Sequence, residues 1–241
     1  MMPIMNISKR HHYNPQYYLK KFANSKKQLW RLDKESGKIV CGSSEKFGLK
    51  KNWNTLQVEQ SERSADWIEG KISKIDHFAA QTLGKIVDGK LPEDIRPLCA
   101  AISFMQNHQP RLKRELIESN SKEVSDWSND TFLIAGVKSA LRDYERYVPK
   151  SYIVYEIDSS KPDWHFLTSS NPLIEFSDNS MKFFPVSKKH CMFLNNDVKL
   201  AQIGSQYFGV DSEEIVRGVN RRTVENSWQY VYSPTSDFSF V

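Results

Sequence analysis

Cysteine is scarce in this chain. The three present, Cys41, Cys99 and Cys191, are far apart and form no C-x-x-C pair, which excludes a disulfide framework and leaves paired-thiol zinc or redox chemistry without support. Long apolar runs are missing as well: stretches such as Phe132 to Val137 fall far short of the ~20 residues a membrane helix needs. Met1 to Arg10 holds no apolar core of signal-peptide length. A cytoplasmic protein without a membrane partner is the expectation. Signature loops are also absent. No G-x-x-x-x-G-K-[ST], G-x-G-x-x-G or H-E-x-x-H occurs, so P-loop hydrolysis, Rossmann cofactor binding and zinc proteolysis lose their usual carriers. No G-x-S-x-G elbow surrounds Ser169 or Ser170.

What is present is a 241-residue chain, 39% hydrophobic, with 34 basic and 29 acidic residues and a formal net charge of +5. That length supports one large domain or two small ones with a real core. The mild excess of positive charge favours a polyanion partner without demanding one.

Chemistry-bearing residues concentrate in three islands. The first is Lys9-Arg10-His11-His12-Tyr13-Asn14-Pro15-Gln16-Tyr17-Tyr18-Leu19-Lys20-Lys21-Phe22. It holds too many aromatics for a solvated arm, so it should be ordered, with polar groups needing specific partners. Adjacent histidines diverge in strand or helix, which suits one to a site and the other to packing rather than both to one metal. The second island is Gln106, Gln109, Pro110 and Arg111. Pro110 should divide a helix, leaving Arg111 near a fresh helix start, where backbone N–H groups add to a guanidinium for holding an anion. Its structural alternative is an internal Arg111–Glu69 pair. The third is Thr168-Ser169-Ser170-Asn171-Pro172, which binds a ligand or simply makes a turn.

The opening run H-H-Y-x-P-Q-x-Y-L-x-x-F resembles the start of the bacterial DUF4238 family. Gln106 with Pro110 and Arg111, Thr168 to Pro172, Phe184-Pro185-Val186-Ser187, and Asn220 before Tyr230-Val231-Tyr232-Ser233 follow in the same order. The resemblance implies a single domain over 1–241 and no established activity.

The coarse reading is α+β, a helical subdomain over about 55–148 packed against an antiparallel β-sheet built from about 150–241 and the 28–41 hairpin. Apolar residues Ala65, Ile68, Ile72, Ile75, Ala79, Leu83 and Ile86 recur at helical spacing. A second helix carries Ile95, Leu98, Ile102 and Met105, with Gln106 continuing its buried stripe, and a third spans roughly Val124 to Tyr147. Ser43 to Asn54 reads as a loop. Five β-rich runs between Tyr152 and Leu194 read as an antiparallel meander, followed by a helix over Ser212 to Asn226 and a last strand at Gln229 to Ser233.

Three functions compete. One is a nuclease acting on a phosphodiester, with His11 or His12 as general acid or base, Arg111 as phosphate clamp and Gln106 with Gln16 orienting substrate. Tyr13, Gln16, Ser169 and Asn171 would bind ligand, with no resident metal called for and cofactors unknown. The second is a non-catalytic nucleic-acid or nucleotide module using the same Arg and tyrosines; the third is a structural or interaction protein whose islands are buried hydrogen-bond networks. The basic aromatic segments Lys9 to Lys21 and Lys46 to Trp53 would serve a nucleic-acid surface if the fold joins them. Oligomeric state is not legible.

Overall fold

The structure is a computed structural model and describes residues 10–56, 66–119, 128–175 and 181–238; of Arg10, Arg111 and Leu200 only the backbone is described. The first island forms strand β1 (Arg10–His12), a one-turn helix α1 (Gln16–Leu19) and a 3-10 turn over Lys20–Phe22. β2 (Leu29–Asp33) and β3 (Ile39–Gly42) make the expected hairpin. Its tip closes where Gly37 takes φ +67° and Asp33 Oδ1 accepts from the N–H of Glu35 at 3.0 Å.

Ser43 to Asn54 is more than a loop. A 3-10 turn at Ser44–Lys46 leads to β4 (Leu49–Lys51), which pairs antiparallel with β1, His11 opposite Lys50 and His12 opposite Leu49. Neither three-residue strand carries a readable alternation, so the partner alone makes them strands. Between them, Gly48 sits at φ +61°, and its carbonyl accepts from both Tyr13 N and Asn14 N.

The middle of the chain is helical, as its periodicity dictates. α2 (Trp67–Val87) packs on α3 (Arg96–Asn107), and α5 (Asn129–Asp143) packs on α3 and also touches α2. Pro110 divides the second helix as expected: Gln109 is extended at φ −88°, ψ 138°, and α4 (Pro110–Glu118) starts anew. Ala65, at the start of the first expected helix, and residues 124–127 of the third lie outside the described residues. Ser128 caps α5, its hydroxyl accepting from Thr131 N at 3.1 Å.

The strands depart from a single meander. β5 (Ser151–Ile157), β7 (Ile174–Glu175), β8 (Met181–Pro185), β9 (His190–Asn195) and β10 (Gln206–Val210) form one sheet in the order β10-β5-β9-β8-β7. β10, which its sequence does not announce, joins β5 in parallel, so this sheet is mixed. Of the run His165 to Thr168 only its end becomes strand, as β6 (Thr168–Ser169). It leaves the meander and pairs with β11 (Tyr230–Ser233) in a second sheet ordered β3-β2-β11-β6. A short helix α6 (Val198–Ala201) precedes β10, and α7 (Glu213–Asn226) follows it. The fold class is α+β. One core cluster takes Tyr18, Leu19 and Phe22 from the first island, Leu83, Ile86, Leu98 and Ile102 from the helices, and Val154, Phe184, Met192 and Tyr232 from both large sheets, so burial of each part's apolar face depends on the others.

Candidate functional site

The three islands meet. Asn14 Nδ2 donates to the Ser169 carbonyl at 3.3 Å, Gln106 Nε2 to Asn171 Oδ1 at 2.6 Å, and Gln109 Nε2 to the Tyr13 carbonyl at 3.4 Å and the Met105 carbonyl at 2.7 Å. Tyr18 OH bonds Thr168 Oγ1 at 2.6 Å and donates to the Pro185 carbonyl at 2.8 Å. Ser169 Oγ donates to the Asn171 carbonyl and accepts from Asn171 N, which is the chemistry of a tight turn. These groups are buried or half-buried and answer one another, so most of the expected ligand-binding amides hold the junction between helices and sheets. Gln106 is half-buried, as its place on the stripe predicts.

His11 belongs to a second network. It is 2% exposed, and its Nδ1 accepts from Asn54 N at 3.0 Å. Asn54 is a hub: its Oδ1 meets His108 Nε2 at 2.8 Å, and its Nδ2 donates to Glu69 Oε2 at 2.8 Å. Because the amide donates to Glu69, its oxygen must accept from His108, which makes that ring the neutral Nε2–H tautomer. Burial, with the His11 ring adding to it, pushes His108 down to about 4. Two turns along α2, burial and the Glu69 charge push Asp76 up to about 7. Glu69 thus accepts from an amide; the side chain of Arg111, its expected alternative partner, lies outside what is described.

Between the islands opens a cavity of about 470 Å³, within the range that holds small ligands. Tyr13, Trp228 and Tyr230 supply aromatic lining, Lys50 and Arg114 positive charge, and Gln109, Pro110 and Ser170 also line it. Lys50 is held below its usual value by burial and by the nearby charges of Lys113 and Arg114, so three cations gather on this side. The N-terminus of α4 opens at Pro110, and no side chain caps it, which leaves first-turn N–H donors without intrahelical partners. Burial lifts the Tyr13 phenol to about 12, so it is a neutral donor at physiological pH. The Arg31 guanidinium stacks 4.4 Å from the Tyr230 ring centre and 5.2 Å from that of Phe47. Glu35, Glu115 and Glu118 add three acidic residues to the lining.

His12 and Gln16 are half-buried and stand outside this lining, as does His11. Sequence reasoning missed Arg114 and Trp228; Lys50 fell inside the basic aromatic segment it singled out. Among the described residues no group of three or more His, Cys, Asp and Glu side chains could hold a metal, and no helix is long and apolar enough to cross a membrane.

Residues 10–128, which carry the histidine island, the Asn54 hub and the dividing proline, match the profile of DUF4238, a protein of unknown function. The match supports the resemblance to the DUF4238 family over this part of the chain. The match contributes β1, β4, Tyr13, Lys50, Gln109 and Arg114 to the site, whereas Ser170, Trp228 and Tyr230 lie beyond it. The DUF4238 segment therefore builds one side of the cavity and the C-terminal residues the other. No curated protein and no solved structure matches the chain.

Proposed function

We propose that this protein binds a phosphate-bearing ligand with a planar base, a nucleotide or a segment of single-stranded nucleic acid, in the cavity between Tyr13, Arg114 and Tyr230. The observation that carries this reading is that one cavity of about 470 Å³ holds both an aromatic lining and grouped cations. A base stacks on Tyr230, Tyr13 or Trp228, the phosphate lies toward Lys50, Arg114 and the open start of α4, and the acidic residues of the lining accept from ribose hydroxyls or base amino groups. Binding has more support than cleavage. A nuclease using His11 needs that ring to exchange a proton with substrate, yet its Nδ1 is occupied by a backbone N–H in a nearly closed site.

Trp228 gives the readout. Titration with adenosine mono-, di- and triphosphate and with a short oligouridylate should change tryptophan fluorescence, with affinity falling as salt rises. Arg114→Ala should weaken binding roughly tenfold, the loss of about one charge-assisted contact, while His11→Asn should leave affinity within twofold if it folds. No binding by the folded wild type to any of these ligands overturns the reading; phosphodiester cleavage abolished in a folded His11→Asn or His12→Asn variant replaces it with the nuclease.

A further inference from the structure

We propose that a second copy of this chain pairs with the first along the open edge of β10, antiparallel about Phe208, so that two five-stranded sheets become one. β10 is an edge strand: among the described residues it pairs only with β5. Its five positions run in unbroken register, Gln206 opposite Ile153 through to Val210 opposite Ile157. Edge strands usually carry a device against pairing, such as a lysine, a proline or a bulge. Gln206-Tyr207-Phe208-Gly209-Val210 has none, and its outward N–H and C=O groups form a template for another strand. The opposite edge of the same sheet is protected, because β7 has two residues and one is Glu175.

What favours a copy of itself is the match that a two-fold axis at Phe208 creates. An isologous contact places each residue opposite its mirror position, so Gln206 meets the partner's Val210 and Phe208 meets the partner's Phe208. The strand is uncharged, and the first charged residue beyond it, Asp211, falls opposite Ser205, so no like charges are brought together. A row of rings runs across the sheet to this edge: Phe183 and Phe193 at 4.9 Å, Phe193 and Tyr155 at 6.4 Å, Tyr155 and Phe208 at 6.4 Å. The first three are half-buried, but Phe208, the last, remains 44% exposed. Pairing places a ring against it and carries the row across the seam.

The full chain should sediment as a concentration-dependent dimer of about 56 kDa, twice 28.0 kDa. Phe208→Lys, on the open edge, should shift it to monomer with its melting temperature retained. Register supplies a second test, in a Cys41→Ser background that removes the exposed native thiol. Phe208→Cys should link to its own copy on mild oxidation, whereas Gln206→Cys, four residues out of register with its mate, should not. A wild type that stays monomeric throughout the series overturns the proposal. So does a folded Phe208→Lys that remains dimeric, or cross-linking of Gln206→Cys as readily as Phe208→Cys.

Discussion

Asp76→Asn isolates the cost of a half-buried carboxylate in this fold. The native chain holds the Asp76 proton up to about pH 7, the unfolded chain only up to 3.8. Its contribution to stability is therefore complete below pH 3.8 and lost as pH rises through about 7. At 1.36 kcal/mol per pH unit the full loss is on the order of 4 kcal/mol. Asparagine keeps the shape of the neutral acid and cannot ionise, so the variant should match the wild type near pH 5 and exceed it at pH 8, by a change on the order of 2–3 kcal/mol between the two. His108 titrates with the opposite sign. Its native value lies near 4 against an ordinary 6.5, so its contribution is present above 6.5 and lost as pH falls toward 4, about 3 kcal/mol in all. The two slopes partly cancel in the wild type between pH 4 and 6.5, and the variant should expose the acid-side loss from His108. Urea unfolding followed by tryptophan fluorescence at pH 5, 6, 7 and 8 reads this as a midpoint difference growing to roughly 1 M, with m of about 2–3 kcal/mol per molar. A difference between variant and wild type that is constant across that range would falsify the assignment of Asp76 as a neutral native acid.

Other substitutions test the remaining joints. Asn54→Ala leaves the His108 N–H and the Glu69 carboxylate without their shared partner and should cost about 2–5 kcal/mol by urea unfolding; a loss under about 0.5 kcal/mol would show that solvent replaces the hub. Tyr18→Phe removes a hydroxyl that serves both Thr168 and Pro185, and should lower stability by about 1–3 kcal/mol without altering affinity for nucleotides. Gly48→Ala combines φ +61° with a Cβ 2.9 Å from both Asn14 Cβ and Leu19 Cδ1. It should lower the melting temperature by several degrees, as a strained left-handed residue plus a clash requires, and a variant melting with the wild type would mean that the backbone leading into β4 relaxes.

Much of this was readable from local pattern. The helical faces of α2, α3 and α5, the division at Pro110, the β2–β3 turn and the burial of Gln106 follow from spacing and from the limits on residues next to proline. Elements of two or three residues were read poorly: β7 fell inside an expected strand, β6 only at the end of one, and β1 and β4 not at all. β1, β4 and β6 are too short for an alternation, and β10, with a glycine and an exposed phenylalanine, carries a weak signal. The candidate site divided in the same way. Tyr13, Gln109 and Ser170 sat in islands that composition marked out, whereas Arg114 and Trp228 gain meaning only from what faces them.

By itself the sequence determined the α+β class, the helical middle, the family resemblance and the three islands, because each is written in neighbours within a few turns of chain. Tertiary structure alone decided which polar group answers which. His11 and His12 look equivalent in sequence, yet β1–β4 pairing sets them opposite different residues, and His11 is spent on Asn54 N. Ser170, Trp228 and Tyr230 reach Tyr13 and Arg114 only after the last strand is laid beside the first hairpin. A hydrogen bond or a cavity wall between residues so distant in the chain depends on how sheets and helices close together, which no local spacing records.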